Sequence, residues 1–302
     1  MPKLLPMEEA IRRFVADGNS IALGLQMEQM IPFAAGHEII RQQKRGLTVI
    51  GPISDILFDQ MIAAGCVEQV IAAWVGNVMM GSAYNFRRAV EQHGLKVFNL
   101  TNFALALALE AGAMGVPFLP TRTALGSDTA TGNHFFYPVF SPFSPKEQLW
   151  AVRALHPDLT IVHVQRADQE GNAHCWGNLG VMLEGVRAAK RVIVVAEEIV
   201  DESVISSDPN RTAIPGFLVS AVVECPYGAH PSPVQGHYNR DHRFFREYHE
   251  ETKTKDRSDA WLERWIYGVR DRHAYRERIG SGRISDLGVK RHTYAAATDF
   301  GF

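Results

Sequence analysis

Leu47–Ala73 reads LTVIGPISDILFDQMIAAGCVEQVIAA. The branched apolar run Leu47–Gly51 stops at Gly and Pro. Ser54–Ala64 follows with helical periodicity. It has a capping serine, Asp55 in the first turn where it complements the helix dipole, and Gly65 as the stop. Gln69–Ala73 is a second apolar run. Both runs are apolar on consecutive rather than alternate residues, which suits parallel strands covered on both faces. The same alternation extends outward. Met7–Ala16 is a helix with Ile11, Phe14 and Val15 on one face, and Ser20–Gly24 is a strand. Pro32–Gln43 is a helix with Pro in its first turn. Leu95–Leu100 is a strand, and Phe103–Met114 is a helix apolar nearly all round, hence expected to be buried. Leu159–Val164 and Arg191–Glu197 are further strands. The pattern predicts an α/β fold: an open, mostly parallel sheet with helices on both faces.

The 302 residues suit one such domain, 1–302. With 46% apolar and 21% charged residues, the chain can bury a sizeable core. A formal charge of −2 gives no reason to expect nucleic acid or an anionic membrane as partner. Cys66, Cys175 and Cys225 are too few and too far apart for a disulfide framework or a zinc site, and read as small buried residues. MPKLLPMEEAIRRF lacks the apolar run and cleavage site of a signal peptide. No uncharged apolar run is long enough to span a bilayer. A cytoplasmic protein is expected, in which the sequon Asn210-Arg211-Thr212 goes unused.

Two segments break the alternation. Ala124–Pro145 is dense in Gly, Ser, Pro and aromatics without a period, and reads as a long loop. Such loops are often functional, but its aromatics could equally pack on the body. Phe135–Phe143 suggests a pocket for a bulky or cyclic acid. The C-terminal segment 240–285 is charged and aromatic. Trp261, Trp265, Ile266 and Val269 recur at helical spacing, so Ser258–Ile279 is expected to be one amphipathic helix packed mainly on its own core.

The sequence contains no Gly-rich dinucleotide fingerprint, no phosphate-loop lysine motif and no nucleophile elbow. His230, His237, His242 and His249 lack the partners and spacing of a metal site, and no metal is expected.

Six short motifs, spread over four segments, carry a family resemblance. Asp208–His237 (DPNRTAIPGFLVSAVVECPYGAHPSPVQGH) holds the IPG, AVV and PYGAHPS pattern. Pro157–Asn172 (PDLTIVHVQRADQEGN), Ala196–Val200 (AEEIV) and Gly112–Arg122 (GAMGVPFLPTR) accompany it. Together they resemble the A (alpha) subunits of the glutaconate type in the family I CoA-transferases, over about residues 7–285. The resemblance implies the open α/β sheet that the periodicity gives. It also implies a partner, the B (beta) subunit, in a heterodimer or heterotetramer with the active site between subunits. Coenzyme A thioester would be a substrate, with no permanently bound cofactor. In that family the thioester is attacked by a glutamate of the B subunit. An acyl-glutamyl anhydride forms, then an enzyme–CoA thioester, and the acceptor acid takes over.

This chain is then expected to supply substrate-facing groups. Gly24 stands where the family has a Gly-rich strand–helix turn, of which only Gly24 and Pro32 remain. Asn102, before the apolar helix, stands where related A subunits tend to carry Gln and ring-opening hydrolases of the same fold carry a catalytic Glu. An amide can orient a carboxylate or donate to an oxyanion, and it can also simply cap a helix. Ser82 reads as the start of a helix (GSAYNFRRAVEQ) whose N–H groups could hold a carboxylate, with Arg87 and Arg88 close behind. Gly126 and Ser127 could line an acyl pocket. His230 in PYGAHPS is expected to be structural, as are Glu197 and Glu198. Two other functions stay open. One is a same-fold hydrolase cleaving a CoA-linked ring in steroid breakdown, which needs a carboxylate near position 102. The other is a non-catalytic binding subunit.

Overall fold

The structure is a computed structural model. It describes residues 2–289, so both ends of the expected 1–302 domain lie outside the described residues. The strands are β1 Ser20–Ala22, β2 Leu47–Ile53, β3 Val67–Trp74, β4 Gly76–Asn77, β5 Gly81–Ser82, β6 Lys96–Asn99, β7 Phe118–Thr121, β8 Phe136–Ser141, β9 Ser144–Arg153, β10 Leu159–Ala167, β11 Ala173–His174, β12 Val192–Ile199, β13 Thr212–Ile214 and β14 Ala221–Glu224. The helices are α1 Met7–Phe14, α2 Phe33–Arg41, α3 Asp55–Ala63, α4 Tyr84–His93, α5 Asn102–Met114, α6 Met182–Ala188, α7 Glu202–Ser206, α8 His242–Glu251, α9 Lys255–Leu262, α10 Arg272–Ile279 and α11 Ser281–Leu287.

The main sheet runs β14-β12-β10-β1-β2-β3-β6, and every pairing along that row is parallel. β11 and β13 add short antiparallel pairings beyond β10. Successive residues of each strand enter opposite cores. Ile21, Val49, Val70, Ile161, Ile193 and Val223 pack with α1, α2, α3 and the C-terminal helices. Ala22, Ile50, Ile71, Val162, Val194 and Val222 pack with α5, α6 and the β8–β9 hairpin. Burial on both faces explains the continuous apolar runs. Among the described residues, no helix is long and apolar enough to cross a membrane.

Five local expectations need correction. Ala124–Pro145 is not one long loop: from Phe136 it enters a hairpin whose strands β8 and β9 pair antiparallel, with β7 beyond β9. Pro138 masks this strand, but a proline is tolerated there because β8 is at the edge of its sheet. Ser258–Ile279 is not one helix. α9 runs into a π-helical turn, Glu263–Tyr267, that ends at Gly268, and Asp271 then caps α10 by accepting from the Ala274 N–H at 2.9 Å. The stripe does face its own core, through Trp261, Ile266 and Val269. Pro32 is the N-cap of α2 rather than a first-turn residue. Ser54 precedes α3 without capping it, because its hydroxyl donates to the Leu23 carbonyl at 3.0 Å. Finally, α5 is buried on one face only. Ala104, Leu105, Ala108 and Leu109 are inside, whereas Phe103 is 58% and Met114 59% exposed.

Candidate functional site

The carboxyl ends of β1, β2, β3 and β6 form one rim of the sheet. At β1, Gly24 takes φ +64°, and a Cβ there would stand 2.6 Å from Ser54 Oγ. Only glycine lets the ends of β1 and β2 approach this closely. The turn that follows is pinned from several sides. Gln26 Nε2 lies 3.2 Å from Cys175 Sγ, and Gln29 Nε2 donates to the Asn178 carbonyl at 2.6 Å. The Val181 N–H donates to the Leu25 carbonyl at 2.8 Å.

At β2, Asp55 takes φ +47° and is fully buried. Its carboxylate pairs with Arg240, Oδ2 to Nη2, at 2.6 Å. Burial lifts the Asp55 carboxyl above its usual range, and Arg240 opposes the rise. Asp55 is thus an ion-pair partner rather than an exposed first-turn charge. The Arg240 guanidinium also lies 3.6 Å over the Phe245 ring.

Between β3 and β6 lies a cavity of about 260 Å³ lined by Ala72, Ala73, Trp74, Val75, Ser82, Phe86, Val97 and Asn99. Ser82 reaches it from β5 and is exposed. It does not begin the helix: α4 starts at Tyr84, with Ala83 as its N-cap, because residues 81–82 pair with Gly76–Asn77 instead. Arg88 does not wait for a ligand. It donates to the Lys253 carbonyl at 2.9 Å and to Ser258 Oγ at 3.1 Å.

Asn102 is exposed and is the first residue of α5. The cap is its neighbour Thr101, whose Oγ1 accepts from the Ala104 N–H at 3.0 Å. Capping therefore does not occupy Asn102, whose side chain makes no hydrogen bond to any described residue. The loop 124–135 folds back onto this point, where Asn133 Nδ2 donates to the Asn99 carbonyl at 2.9 Å. His134 stacks edge-on against Phe98 at 4.2 Å. Gly126 (φ +73°) and Ser127 are exposed in that loop, and Ser127 Oγ accepts from the Thr129 N–H at 3.2 Å. The rim thus gathers Ser82, Asn99, Asn102 and the 124–135 loop around the end of β6, whereas Gly24 stands further along the rim, at β1.

His230 is buried, with Nε2 2.9 Å from Asp241 Oδ2 and Nδ1 3.0 Å from Tyr275 Oη. Glu197 is also buried. It accepts from Tyr238 Oη at 2.6 Å and from the Tyr227 N–H at 2.7 Å, and its other contact is His163 Nε2 at 2.7 Å. Burial alone would raise the Glu197 carboxyl, but these partners bring it below its ordinary value. Glu197, on β12, ties the PYGAHPS turn to the sheet, whereas His230, within the turn, ties it to the start of α8 and to α10. Cys66, Cys175 and Cys225 are buried free thiols. Among the described residues, no group of His, Cys, Asp and Glu is placed to hold a metal ion.

Residues 5–225 match the coenzyme A transferase family. The chain belongs to that family. As a CoA-transferase chain it is 38% identical to the A subunit of 3-oxoadipate CoA-transferase from Pseudomonas knackmussii, covering 94% of this chain and 100% of that one. The crystal structure of glutaconate coenzyme A-transferase from Acidaminococcus fermentans superposes with a TM-score of 0.91 at 31% identity, over 96% of each chain. A cholesterol ring-cleaving hydrolase subunit of Rhodococcus jostii is 29% identical, over 89% of this CoA-transferase chain and 93% of its own. The site's least legible member is Arg240. Its partner Asp55 lies 185 residues away, and no local spacing signals the pair.

Proposed function

We propose that this chain is the A subunit of an acyl-CoA:carboxylate CoA-transferase, and that a B subunit completes its site in a heterodimer or heterotetramer. The observation that carries this reading is position 102. An exposed amide opens a helix on the carboxyl rim of a sheet that matches glutaconate CoA-transferase along nearly its whole length. An amide is neither nucleophile nor base, and the resemblance to glutaconate-type A subunits implies that the attacking glutamate belongs to the B subunit, so the reading assigns it to the partner. That carboxylate attacks the thioester carbonyl and expels CoA thiolate, leaving an acyl-glutamyl anhydride. The thiolate then attacks the glutamyl carbonyl, releasing the donor acid and forming the enzyme–CoA thioester. The acceptor carboxylate reverses the sequence.

In each addition the carbonyl oxygen gains negative charge. Asn102 Nδ2 and the first N–H groups of α5 are donors suited to it, or to holding the glutamate in line. Ser82, Gly126 and Ser127 would line the acyl side, with Gly24 shaping the turn after β1. Coenzyme A thioester is a substrate here, and the protein works in the cytoplasm. An obligate assembly would also cover apolar side chains that the chain leaves open, Phe103, Met114, Phe140 and Phe143 among them.

The ring-cleaving hydrolase is a second reading, favoured by relatives no more than 29% identical. It requires a carboxylate where Asn102 stands. Co-expression with the B subunit, followed by an assay of CoA exchange between acyl-CoAs and free acids, separates the two. Exchange without net hydrolysis supports the transferase, and thioester or ring hydrolysis without exchange overturns it.

A further inference from the structure

β3 ends on a tryptophan that neither core takes up. Val70 and Ala72 of that strand enter one core and Ile71 the other. Trp74, the last residue of β3, is half-buried and lines the cavity of about 260 Å³ between β3 and β6. A large aromatic side chain ordinarily contributes its area to packing. One that faces a cavity at the carboxyl rim of an open sheet shapes what can enter there.

The register gives the cavity two ends. Asn99 lies opposite Ala72, and Asn102 opens α5 just beyond it. Trp74 stands two residues past Ala72, ~7 Å further along β3, where β6 has already ended at Asn99. Ser82 marks this second end, because it pairs with Gly76 next to the indole. The cavity is therefore polar at Asn99 and at Ser82, and apolar between them along Ala72, Val75, Phe86 and Val97. That profile fits a short acyl chain whose carbonyl lies near Asn102 and whose far end, polar or not, meets Ser82 and Trp74.

The indole is also held in place. A Cβ on Gly76 would stand 2.6 Å from its Cζ2 and Cη2 atoms. Gly76 does not hold left-handed backbone, so what glycine provides here is room for the ring to lie against the chain. The ring cannot swing aside in that direction to admit a longer ligand. At about 30 Å³ for each water-sized group, the space holds about nine non-hydrogen atoms, an acyl group of about six carbons.

We propose that Trp74 is a specificity-determining residue of the transfer site: its indole closes the far end of the acyl cavity and sets the longest chain that the enzyme accepts. This rests on the transferase reading above.

The test uses the complete complex of both subunits and straight-chain mono- and dicarboxylic acceptor acids of four, six, eight and ten carbons. In the wild type, kcat/KM should fall by about tenfold or more from the six-carbon to the eight-carbon acid of the preferred series. Trp74→Ala should abolish that fall and keep transfer to the six-carbon acid. Trp74→Phe should move the limit part of the way, and it carries the comparison if the alanine variant does not assemble. Tyr137→Ala, which opens a different cavity on the β8–β9 hairpin, should leave the profile as in the wild type. A wild-type complex that takes eight- and ten-carbon acids as readily as six-carbon ones overturns the role of Trp74. So does a profile unchanged in both Trp74 variants, or one lengthened by Tyr137→Ala instead. In each of these cases CoA transfer persists and the transferase reading stands. A wild-type complex that transfers CoA to none of these acids and to no other overturns that reading and this inference with it.

Discussion

Arg240 Nη2 lies 2.6 Å from Asp55 Oδ2, and neither side chain is reached by solvent. The pair joins the start of α3 to the segment leading into α8, so it closes the rim of the sheet across most of the chain's length. Removing one partner strands the other charge in the interior. Arg240→Ala and Asp55→Ala should each cost about 3–5 kcal/mol in denaturant unfolding. The double variant should cost less than the sum of the two. Single losses below about 1 kcal/mol would show the pair to be dispensable.

Gly24→Ala should destabilise by about 1–3 kcal/mol, from left-handed backbone and the clash with Ser54. Ser54→Gly in the same chain should recover the steric part and leave the conformational part. Equal losses with and without Ser54 would mean that close approach is not the reason for glycine.

Glu197 gives a pH prediction. Its carboxyl is held below the ordinary value in the folded state. Its stabilising contribution is therefore present above the unfolded value, about 4.3, and is lost as pH falls through the lower folded one. Melting temperature followed from pH 7 downward should drop steeply in the wild type over that window. Glu197→Gln should start lower at pH 7 and fall less. Parallel curves would remove Glu197 as a source of acid sensitivity.

Asn102 and Thr101 should separate chemistry from folding. Thr101→Ala removes a cap and should cost about 1 kcal/mol of stability. Asn102→Ala, at an exposed position without intramolecular hydrogen bonds, should leave melting and assembly unchanged. It should lower kcat by about 10²–10³-fold if the amide serves an oxyanion. Full activity in Asn102→Ala would take the residue out of the site.

What could be read from the sequence follows burial. β2, β3, β10 and β12 are apolar on both faces, so their runs stand out. β14 is as deeply buried, but its AVVE is too short to register as more than part of a motif. The β8–β9 hairpin stayed hidden because Pro138, Pro142 and Pro145 punctuate it and Phe143 at its turn is 96% exposed. The C-terminal stripe was visible as a period, but its break at Gly268 was not, since tertiary packing keeps Trp261 and Ile266 before it and Val269 and Tyr275 after it in one core. Within the site, Asn102 was legible because it sits at a strand–helix joint. Arg240 left no trace, because its meaning lies in a contact with a residue far away in the chain.

Trapping tests most directly whether this chain shapes the site while its partner supplies the nucleophile. The complex would be incubated with acyl-CoA without acceptor, reduced with borohydride, and both polypeptides mapped by peptide mass spectrometry. A reduced glutamate on the B subunit, with none on this chain, is the predicted result. A modified glutamate on this chain would contradict it.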